Sequence, residues 1–362
     1  MRAALLRQVG DETLDIRDDV MTSQDLQPGE VRVRIHASGV CHSDLSAMNG
    51  TLPQPAPAVL GHEGAGEVVA VGDGVKHLSV GDHIVVAWIP PCGRCRYCLG
   101  GQPNLCTQIT MSIGFTPRFT YNGTDPAYGF LGTGTFSEEV VLPEEAAIAV
   151  PKDVPFEIAA LLGCGVTTGV GAAINCAKLE PGSNALVIGC GGVGIATIQG
   201  ARIAGAAEIV AMDTVPSKLE DAKRFGATHA VLPDALDSVK SEVTGGDGFD
   251  YVFECIGLAS TMRAAYDHAR RGGTAVVVGA GKMDQMIQLN AFELFFTNKS
   301  IKGTLYGSAD VRRDFPMLLH LWKSGRLDLE GMITSRIDLS SVNDALAIMK
   351  RGEAIRQVIT FQ

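Results

Sequence analysis

The sequence lacks the features that point to membranes, secretion or nucleic acids. No apolar run reaches about 18 uninterrupted residues, the length that predicts a membrane-spanning helix. The nearest candidate, residues 186–212, is interrupted by Gln199, Arg202 and Glu208. The amino-terminal apolar segment is too short for a secretory signal. The sequence has no long basic run and a net charge of −10, which argues against nucleic acids and anionic membranes. We therefore expect a cytoplasmic protein with neither kind of partner.

Charged residues are scarce, at 19% of 362 residues, whereas hydrophobic residues reach 46%. This composition predicts a large apolar core and excludes a disordered chain. The length is enough for about two domains. The sequence has no internal repeat at a solenoid period. Its 43 glycines favour the tight turns and close backbone approaches of α/β enzymes.

Nine cysteines without a secretory signal indicate reduced thiols in a cytoplasm. Four of them, Cys92, Cys95, Cys98 and Cys106, follow the pattern C-x2-C-x2-C-x7-C. Four thiolates at this spacing suit a closed, tetrahedral zinc site. The metal would stabilise the folded conformation of a loop that has few apolar residues of its own. An iron–sulfur cluster is the alternative, although the sequence lacks the proline that follows the fourth cysteine in one such motif.

A glycine-rich turn predicts a dinucleotide-binding unit. An apolar strand, residues 185–188, runs into this turn, and a helix then leads to a second apolar strand that ends in Asp213. Gly189 would allow the tight turn, Gly191 would let the backbone approach a pyrophosphate, and Gly194 would let the helix pack closely. The helix N-terminus would face the phosphates. A purely structural glycine turn is the alternative, and the flanking strands and the acid argue against it.

The sequence predicts three consecutive parts of the chain. Residues 1–165 are rich in short alternating runs and predict a mostly β, barrel-like domain. We expect a loop at 107–135 and a helix at 155–166, which crosses the end of this first part. Residues 166–305 alternate apolar runs with helical patterns, as in a doubly wound sheet. Residues 306–362 hold two helical patterns and a last strand, and we expect this tail to return to the first domain.

Cys41, His62 and Cys164 each lie in a glycine-rich context at the end of a predicted strand or the start of a helix. Two thiolates and one imidazole would leave one zinc position open for water or substrate. Their spacing alone does not establish that they meet. Cys164 as a small buried apolar side chain, and His62 as a hydrogen-bonded core histidine, are the alternatives.

Five motifs together resemble the zinc-containing alcohol dehydrogenases of the medium-chain dehydrogenase/reductase superfamily, and the resemblance covers essentially the whole chain. These motifs are residues 61–66, 92–106, 163–165, 189–194 and 352–356. The resemblance implies an α/β fold with a GroES-like, mostly β catalytic domain and a Rossmann doubly wound parallel sheet. The long loop after Cys106 is similar to that of the liver-type and formaldehyde-dehydrogenase-like branches.

The resemblance also implies a role for each matching residue. It implies two zinc ions per chain, a catalytic ion on Cys41, His62 and Cys164 and a structural ion on Cys92, Cys95, Cys98 and Cys106. Ser43 would hand on the alcohol proton, Asp44 would orient the histidine ligand, and Glu63 would lie behind the metal. The substrate pocket would be lined by Trp88, Phe130 and Tyr306. The NAD-binding residues would be His42, Thr168, Gly189, Gly191, Gly192, Val193, Gly194, Asp213, Lys218, Val278 and Arg356.

Within that NAD-binding set the resemblance implies further roles. Asp213 and Lys218 would contact the adenosine ribose, and Thr168 would lie near the nicotinamide. The cationic groups that face the pyrophosphate would be His42 and Arg356. Asp213, with no arginine directly after it, favours NAD over NADP.

The implied function is the reversible oxidation of a primary or secondary alcohol to an aldehyde or ketone with NAD, by a homodimer or homotetramer that acts on small molecules. A formaldehyde or thiol-adduct dehydrogenase, or an enzyme that keeps NAD tightly bound, is the alternative. A third hypothesis, from another functional class, is a non-catalytic protein that binds NAD or zinc.

Two departures from the family pattern bear on the mechanism and the substrate. The position three residues after Ser43, which often carries a histidine in the family, is Ser46. The glutathione-dependent branch has an acid in the loop before Gly61 and an arginine soon after Cys106, and neither has a counterpart in this chain. The second departure argues against a thiol-adduct substrate.

Overall fold

This computed structural model describes residues 1–361, and their contacts separate into two units. The first comprises residues 1–164, 310–320 and 329–361, and the second comprises residues 165–309 and 321–328. The expected tail, 306–362, therefore divides between the two units.

Two contacts explain why parts of that tail belong to the second unit. The backbone of Gly307 packs so closely on Gly171 that a Cβ on Gly171 would collide with the Gly307 carbonyl. The Gln199 amide bonds the backbone of Asp328 in both directions, at 3.2 and 2.8 Å. Neither close approach is visible in the apolar pattern from which the boundary was predicted.

Two mostly antiparallel sheets form the first unit. In one, a path of six strands runs Ala147–Val150, His83–Val86, Glu63–Val71, Glu30–Val40, Arg356–Thr360 and Ile333–Ile337, and Glu139–Pro143 also pairs with Glu30–Val40. The other has the order Asp15–Arg17, Ala3–Leu6, Ala58–Val59, Asp125–Gly129, Phe119–Tyr121 and Met21–Thr22. Along the central strand Glu30–Val40, Val31, Val33 and Ile35 are buried and alternate with more exposed side chains. This period of two places one face on an apolar core.

A single parallel sheet forms the centre of the second unit. Its order is His229–Val231, Glu208–Met212, Asn184–Ile188, Phe249–Glu254, Ala269–Val277 and Ser300–Gly303. Numbered along the chain, this is the order 3-2-1-4-5-6 of a doubly wound dinucleotide-binding sheet. Leu186, Ile188 and Val210 are completely buried, as expected for strands that are covered on both faces. The predicted doubly wound sheet is therefore confirmed.

Helices connect these strands. The α-helices are His42–Met48, Arg96–Leu99, Gln108–Gly114, Phe156–Leu161, Gly165–Gly171, Gly192–Ala204, Pro216–Arg224, Leu236–Thr244, Ala259–His268, Ala291–Thr297, Val311–Lys323 and Val342–Arg351, and Ala172–Ala177 is a π-helix. Short 3-10 turns occupy Pro103–Leu105, Phe130–Gly132, Glu144–Ala146, Pro233–Ala235, Tyr306–Ser308, Glu330–Met332 and Leu339–Ser341. No helix within residues 1–361 is long and apolar enough to cross a membrane.

Two local predictions are wrong. The expected loop at 107–135 contains helix Gln108–Gly114 and a hairpin whose turn holds Asn122 and Gly123, both at positive φ. Asn-Gly is the strongest short hairpin signal. The single helix expected at 155–166 is also wrong, since helix Phe156–Leu161 ends before Gly163. The chain turns at residues 162–164, so Cys164 lies between two helices. Gly163 packs closely on the backbone of Glu63, since a Cβ on Gly163 would lie 2.9 Å from the Cα of Glu63.

Candidate functional site

Four side chains with metal-ligating atoms converge in the first unit. The ligand atoms of Cys41, His62, Glu63 and Cys164 all lie within 4.8 Å of one another. All four residues are buried. Cys41 directly precedes helix His42–Met48, and His62 directly precedes strand Glu63–Val71. The fold therefore brings together the three residues that the sequence singled out separately, and adds a carboxyl group beside them.

Asp44 holds the histidine of this set in a fixed orientation. Its Oδ1 lies 3.4 Å from Nδ1 of His62 and also accepts the backbone N–H of Gly61 at 3.0 Å. Its Oδ2 accepts the backbone N–H of Cys41 at 3.0 Å. The other ring nitrogen of His62, Nε2, is buried and has no partner with hydrogen-bond geometry among residues 1–361. A ring held at Nδ1, with a buried and unpaired Nε2, fits a metal-binding histidine.

The electrostatics of the set favour a cation. The hydrogen bond from the Cys164 thiol lowers the pKa of Cys41 well below its ordinary value, although burial opposes this. Burial disfavours protonated His62, yet the Asp44 carboxylate and the Cys41 thiolate raise its pKa well above the ordinary value. In the absence of a metal, the proton on His62 supplies the positive charge beside these groups. A bound metal ion would supply that charge instead. Sulfur and imidazole donors in this combination suit zinc.

A buried ion pair borders the set. Nη1 of Arg356 lies 3.3 Å from Oε1 of Glu63, and both side chains are almost completely buried. Burial raises the pKa of the Glu63 carboxyl to about 8, and the Arg356 guanidinium opposes that rise. The sequence predicted that Arg356 would face a pyrophosphate. Within the first unit its guanidinium contacts Glu63 and the Cys41 thiol instead of solvent.

The hydroxyl predicted to carry the alcohol proton lies beside a metal ligand. Oγ of Ser43 is 3.8 Å from Sγ of Cys41, and the side chain is only half-buried. Ser46, one turn further along the same helix, is 7% exposed. His42 begins this helix and is exposed. The half-buried hydroxyl of Ser43 therefore lies next to the metal-ligand set, by which we mean Cys41, His62, Glu63 and Cys164. Ser46 lies deeper in the fold.

Aromatic rings surround His62. The ring of Phe130 meets the imidazole edge to face at 5.1 Å, and the ring of Trp88 does so at 6.5 Å. Phe130 is completely buried. The third predicted pocket residue, Tyr306, belongs to the second unit, where it is 2% exposed and has the unusual φ of +56°.

The four-cysteine lobe is preformed. The Sγ atoms of Cys92, Cys95, Cys98 and Cys106 all lie within 4.8 Å of one another. Backbone N–H groups point at three of these sulfurs, each at 3.4 Å: Cys95 to Cys92, Cys98 to Cys95, and Cys92 to Cys106. Burial opposes ionisation of Cys92, but the backbone N–H groups of Arg94 and Cys95 and the neighbouring thiols lower its pKa to about 6. Burial raises the pKa of Cys98, in contrast, to about 12. The lobe thus favours a thiolate at Cys92, and a bound cation would be needed to deprotonate Cys98.

The glycine turn of the second unit has the geometry of a phosphate cradle. Gly189 has a φ of +94°, which only glycine adopts readily. A Cβ on Gly194 would collide with the carbonyl oxygen of Gly189, whereas a Cβ on Gly191 would meet nothing within 4 Å. The open space over Gly191 and the helix N-terminus beside it suit a pyrophosphate. Oδ2 of Asp213 accepts the backbone N–H of Cys190 at 2.8 Å, so the acid also braces the turn.

The other predicted NAD-binding residues of this unit lie in or next to its strands and helices. Gly192 and Val193 begin helix Gly192–Ala204. Nζ of Lys218 lies 4.0 Å from Oδ2 of Asp213. Val278 directly follows strand Ala269–Val277, and Thr168 is buried in helix Gly165–Gly171.

Sequence reasoning missed two residues that border the metal-ligand set. Thr133 and Thr135 bond the carbonyl oxygen of Gly61, the residue before His62. The available signal was the alternation of threonine and glycine in residues 132–135. This short alternation does not by itself indicate a contact with a residue 72 positions away.

Two protein-family patterns match this chain. The pattern of the alcohol dehydrogenase GroES-like domain matches residues 27–152, and that of zinc-binding dehydrogenases matches residues 192–324. An S-(hydroxymethyl)glutathione dehydrogenase from Escherichia coli O1:K1 / APEC is 40% identical over 344 residues, which cover 92% of this chain and 93% of that protein.

Solved structures with the same fold extend over the full chain. An alcohol dehydrogenase zinc-binding domain protein from Burkholderia ambifaria has a TM-score of 0.92 and 34% identity, and the match covers 100% of this chain and 98% of that one. Benzyl alcohol dehydrogenase from Acinetobacter calcoaceticus has a TM-score of 0.91 and 30% identity, with coverage of 100% and 99%.

Proposed function

The chain belongs to the zinc-dependent alcohol dehydrogenases of the medium-chain dehydrogenase/reductase superfamily, and we propose that it oxidises a primary or secondary alcohol reversibly with NAD. One observation carries this proposal above the others. Cys41, His62 and Cys164 converge, and Nε2 of His62, the ring nitrogen that Asp44 does not engage, is buried with no hydrogen-bond partner among residues 1–361. With Glu63 paired to Arg356, three protein ligands of this kind would leave a fourth position for an alcohol or aldehyde oxygen.

The residues of the site have distinct tasks in this reaction. Zinc, when bound, supplies Lewis acidity toward the alcohol oxygen, and NAD supplies the hydride acceptor. Cys41, His62 and Cys164 would hold the metal, while Asp44 keeps Nδ1 of His62 engaged so that Nε2 faces the ligand set. Ser43, whose Oγ lies 3.8 Å from Sγ of Cys41, would relay the alcohol proton: its Oγ accepts that proton as its own hydroxyl proton passes to the next acceptor.

The proton would leave Ser43 by a short route. Ser46 is a serine where the family often has histidine, and an unperturbed hydroxyl does not ionise usefully near neutral pH. His42 is exposed at the start of the same helix, and we assign it to the pyrophosphate. Arg356, predicted for the same task, pairs with the buried Glu63 carboxyl instead. The cofactor ribose and water therefore remain as the route from Ser43 to solvent.

We assign a second, structural zinc ion to the four-cysteine lobe. Its sulfurs are close together and accept backbone N–H groups, as thiolates in closed zinc sites do. Because the lobe supplies all four ligands, no position remains for substrate. This ion would contribute to stability and not to chemistry.

NAD is the cofactor that the second unit supports. The carboxylate of Asp213 ends the second strand of the dinucleotide-binding unit, where an acid bonds the ribose 2′-hydroxyl and repels a 2′-phosphate. Lys218 lies beside it and would contact the same ribose. The phosphates would lie over Gly189, Gly191, Gly192, Val193 and Gly194, with Thr168 and Val278 toward the nicotinamide.

The substrate class has one alternative with support. The Escherichia coli relative acts, by its name, on S-(hydroxymethyl)glutathione. This chain lacks the acid and the arginine that the glutathione-dependent branch carries, so we favour an alcohol without a thiol adduct. Trp88 and Phe130 lie against His62 and would give the substrate site of the first unit an apolar wall; Tyr306, predicted for the same pocket, belongs to the second unit.

We also propose a homo-oligomer, a dimer or tetramer, in the cytoplasm. Strand Ser300–Gly303 is an edge of the parallel sheet, and such edges invite pairing. Helix Ala291–Thr297 beside it has no buried residue, and its Phe292, Phe295 and Phe296 are 67, 79 and 53% exposed. An aromatic patch of this kind marks an interaction surface. Nine free cysteines support a reducing compartment.

A substrate panel tests the proposed function. Purified holoenzyme is mixed with NAD and primary or secondary alcohols, and separately with formaldehyde plus a series of thiols, while NADH absorbance is followed. Turnover of free alcohols supports the proposal. Turnover only with a thiol present would establish the thiol-adduct alternative. NAD that co-purifies with the protein would indicate a tightly bound cofactor. No turnover at full zinc and NAD occupancy would favour a non-catalytic binding protein.

A further inference from the structure

The peptide that leads into His62 is held from both sides. The N–H of Gly61 donates to Oδ1 of Asp44 at 3.0 Å, the same atom that faces Nδ1 of His62. The carbonyl oxygen of Gly61 accepts the Thr133 hydroxyl at 3.1 Å and the backbone N–H of Thr135 at 2.9 Å. Gly61 itself has a φ of +86°, so these bonds hold a conformation that other residues resist.

The Thr133 hydroxyl also reaches the turn that presents Phe130. Its Oγ1 lies 2.9 Å from the carbonyl oxygen of Phe130 as well as 3.1 Å from that of Gly61. A hydroxyl has one proton, so the two carbonyls share it. Thr133 is 2% exposed, which leaves water little access to replace the hydroxyl.

The turn held in this way is strained. Leu131, the residue after Phe130, has a φ of +52°, which costs a non-glycine residue free energy and persists only where surrounding contacts impose it. The Phe130 ring meets the His62 imidazole at 5.1 Å. One buried hydroxyl therefore joins the backbone before the histidine ligand to the backbone of the aromatic residue that packs on its ring.

We propose that Thr133 is a positioning residue of the catalytic metal site. By bonding the carbonyls of Gly61 and Phe130 it fixes the direction from which His62 approaches the metal and keeps the Phe130 ring against the imidazole. This inference rests on the proposed function, because it needs a metal on Cys41, His62 and Cys164. It adds a group that acts through the backbone and touches neither metal nor substrate.

The test compares variants at this position that differ in the hydroxyl alone. Thr133→Ser and Thr133→Ala both lose the methyl group, and only the serine keeps the hydroxyl; Thr133→Val keeps the volume and loses the hydroxyl. Ser137→Ala is the control, since Ser137 is equally buried and bonds the carbonyls of Gly134 and Glu139. Metal retention is measured by chelator competition and elemental analysis, and geometry by the visible spectrum of cobalt-substituted protein.

We expect Thr133→Ala and Thr133→Val to lose the catalytic ion at about tenfold lower chelator concentration, as supporting residues of metal sites commonly do, with an altered cobalt spectrum. Thr133→Ser and Ser137→Ala should match the unmodified protein. The inference is overturned if alanine and serine behave alike at this position, or if Ser137→Ala weakens the same ion equally. If Thr133→Val does not fold, the alanine–serine pair still decides.

A failure of the proposed function gives a different result. If the metal site itself is wrong, the unmodified protein holds no ion that is lost in Cys164→Ala. If only the catalysis is wrong, that ion is present but no alcohol is turned over. If the unmodified protein holds the catalytic ion, and loss of the Thr133 hydroxyl does not change how firmly that ion is bound, this inference alone is overturned.

Discussion

The backbone N–H of Cys190 donates to Oδ2 of Asp213 at 2.8 Å. Oδ1 of the same carboxylate accepts the N–H of Val215 at 2.9 Å. The acid that ends the second parallel strand therefore has two tasks. It braces the glycine turn, and in the proposed complex with NAD its negative charge would lie where the two nicotinamide cofactors differ.

This double role predicts separable effects of two substitutions. Asp213→Asn removes the charge and keeps one carbonyl oxygen as an acceptor, whereas Asp213→Gly removes both bonds. Both should shift kcat/KM toward NADP relative to NAD, by about tenfold or more, which equals about 1.4 kcal/mol. The glycine variant, which loses both bonds, should melt at a lower temperature than the asparagine variant, which keeps one. If the unmodified enzyme uses NADP as efficiently as NAD, the role of Asp213 is wrong.

The four-cysteine lobe predicts a zinc ion that stabilises without reacting. Cys95→Ala should lose one of two zinc ions and lower the melting temperature by more than about 5 °C, because the lobe loses its cross-link. Elemental analysis and calorimetry measure both effects. Cys176→Ala is the control, since Cys176 is a free thiol outside both metal sets. Two zinc ions retained in Cys95→Ala would contradict this assignment.

The short proton route predicts the effect of restoring a histidine. Ser43→Ala should slow alcohol oxidation by about a hundredfold or more, as the loss of a general base does. Ser46→His adds a group that titrates near pH 6.5, or lower because this position is buried. Its neutral form accepts protons, so hydride transfer should speed up as pH rises through that inflection.

Pre-steady-state hydride transfer over a pH series measures this effect, since chemistry must limit the observed rate. His42→Ala is the matched comparison from the same helix. If Ser46→His leaves the profile unchanged while His42→Ala removes its main inflection, protons leave through His42 and the proposed route is wrong.

The exposed aromatic helix predicts an oligomer that one charge disrupts. Phe295 is 79% exposed, and Phe295→Glu would place a carboxylate within an apolar contact, which strongly disfavours association. Light scattering or sedimentation should then show smaller particles than the unmodified protein. Val80→Glu, at a 61% exposed valine of the first unit, should not change the assembly. An unmodified protein that is monomeric at micromolar concentration would contradict the prediction.

Much of the second unit could be predicted from local sequence. The apolar run at 208–212 is the observed strand Glu208–Met212, and the run at 185–188 is extended by one residue, to Asn184–Ile188. Buried parallel strands and glycine turns have signals that depend on neighbours in sequence alone. The lobe cysteines were equally accessible, because their spacing is itself the signal.

The convergence of the proposed catalytic residues could not be derived from local sequence. Cys41, His62 and Cys164 meet because the strands Glu30–Val40 and Glu63–Val71 pair, and because Gly163 packs on the backbone of Glu63. These are long-range contacts, and only the family resemblance joined the three residues in advance. Thr133 was missed for the same reason, since its bond to Gly61 spans 72 positions.

The most direct test of the central claim combines metal content with turnover in Cys164→Ala. Zinc per chain and NAD-dependent alcohol oxidation are measured on the same preparations of the unmodified protein, Cys164→Ala and Cys176→Ala. The account predicts two zinc ions and turnover in the unmodified protein and in Cys176→Ala. For Cys164→Ala it predicts one zinc ion, no measurable turnover and a largely intact fold. Cys164→Ala that keeps both ions, or that still oxidises alcohol at an undiminished rate, would contradict it.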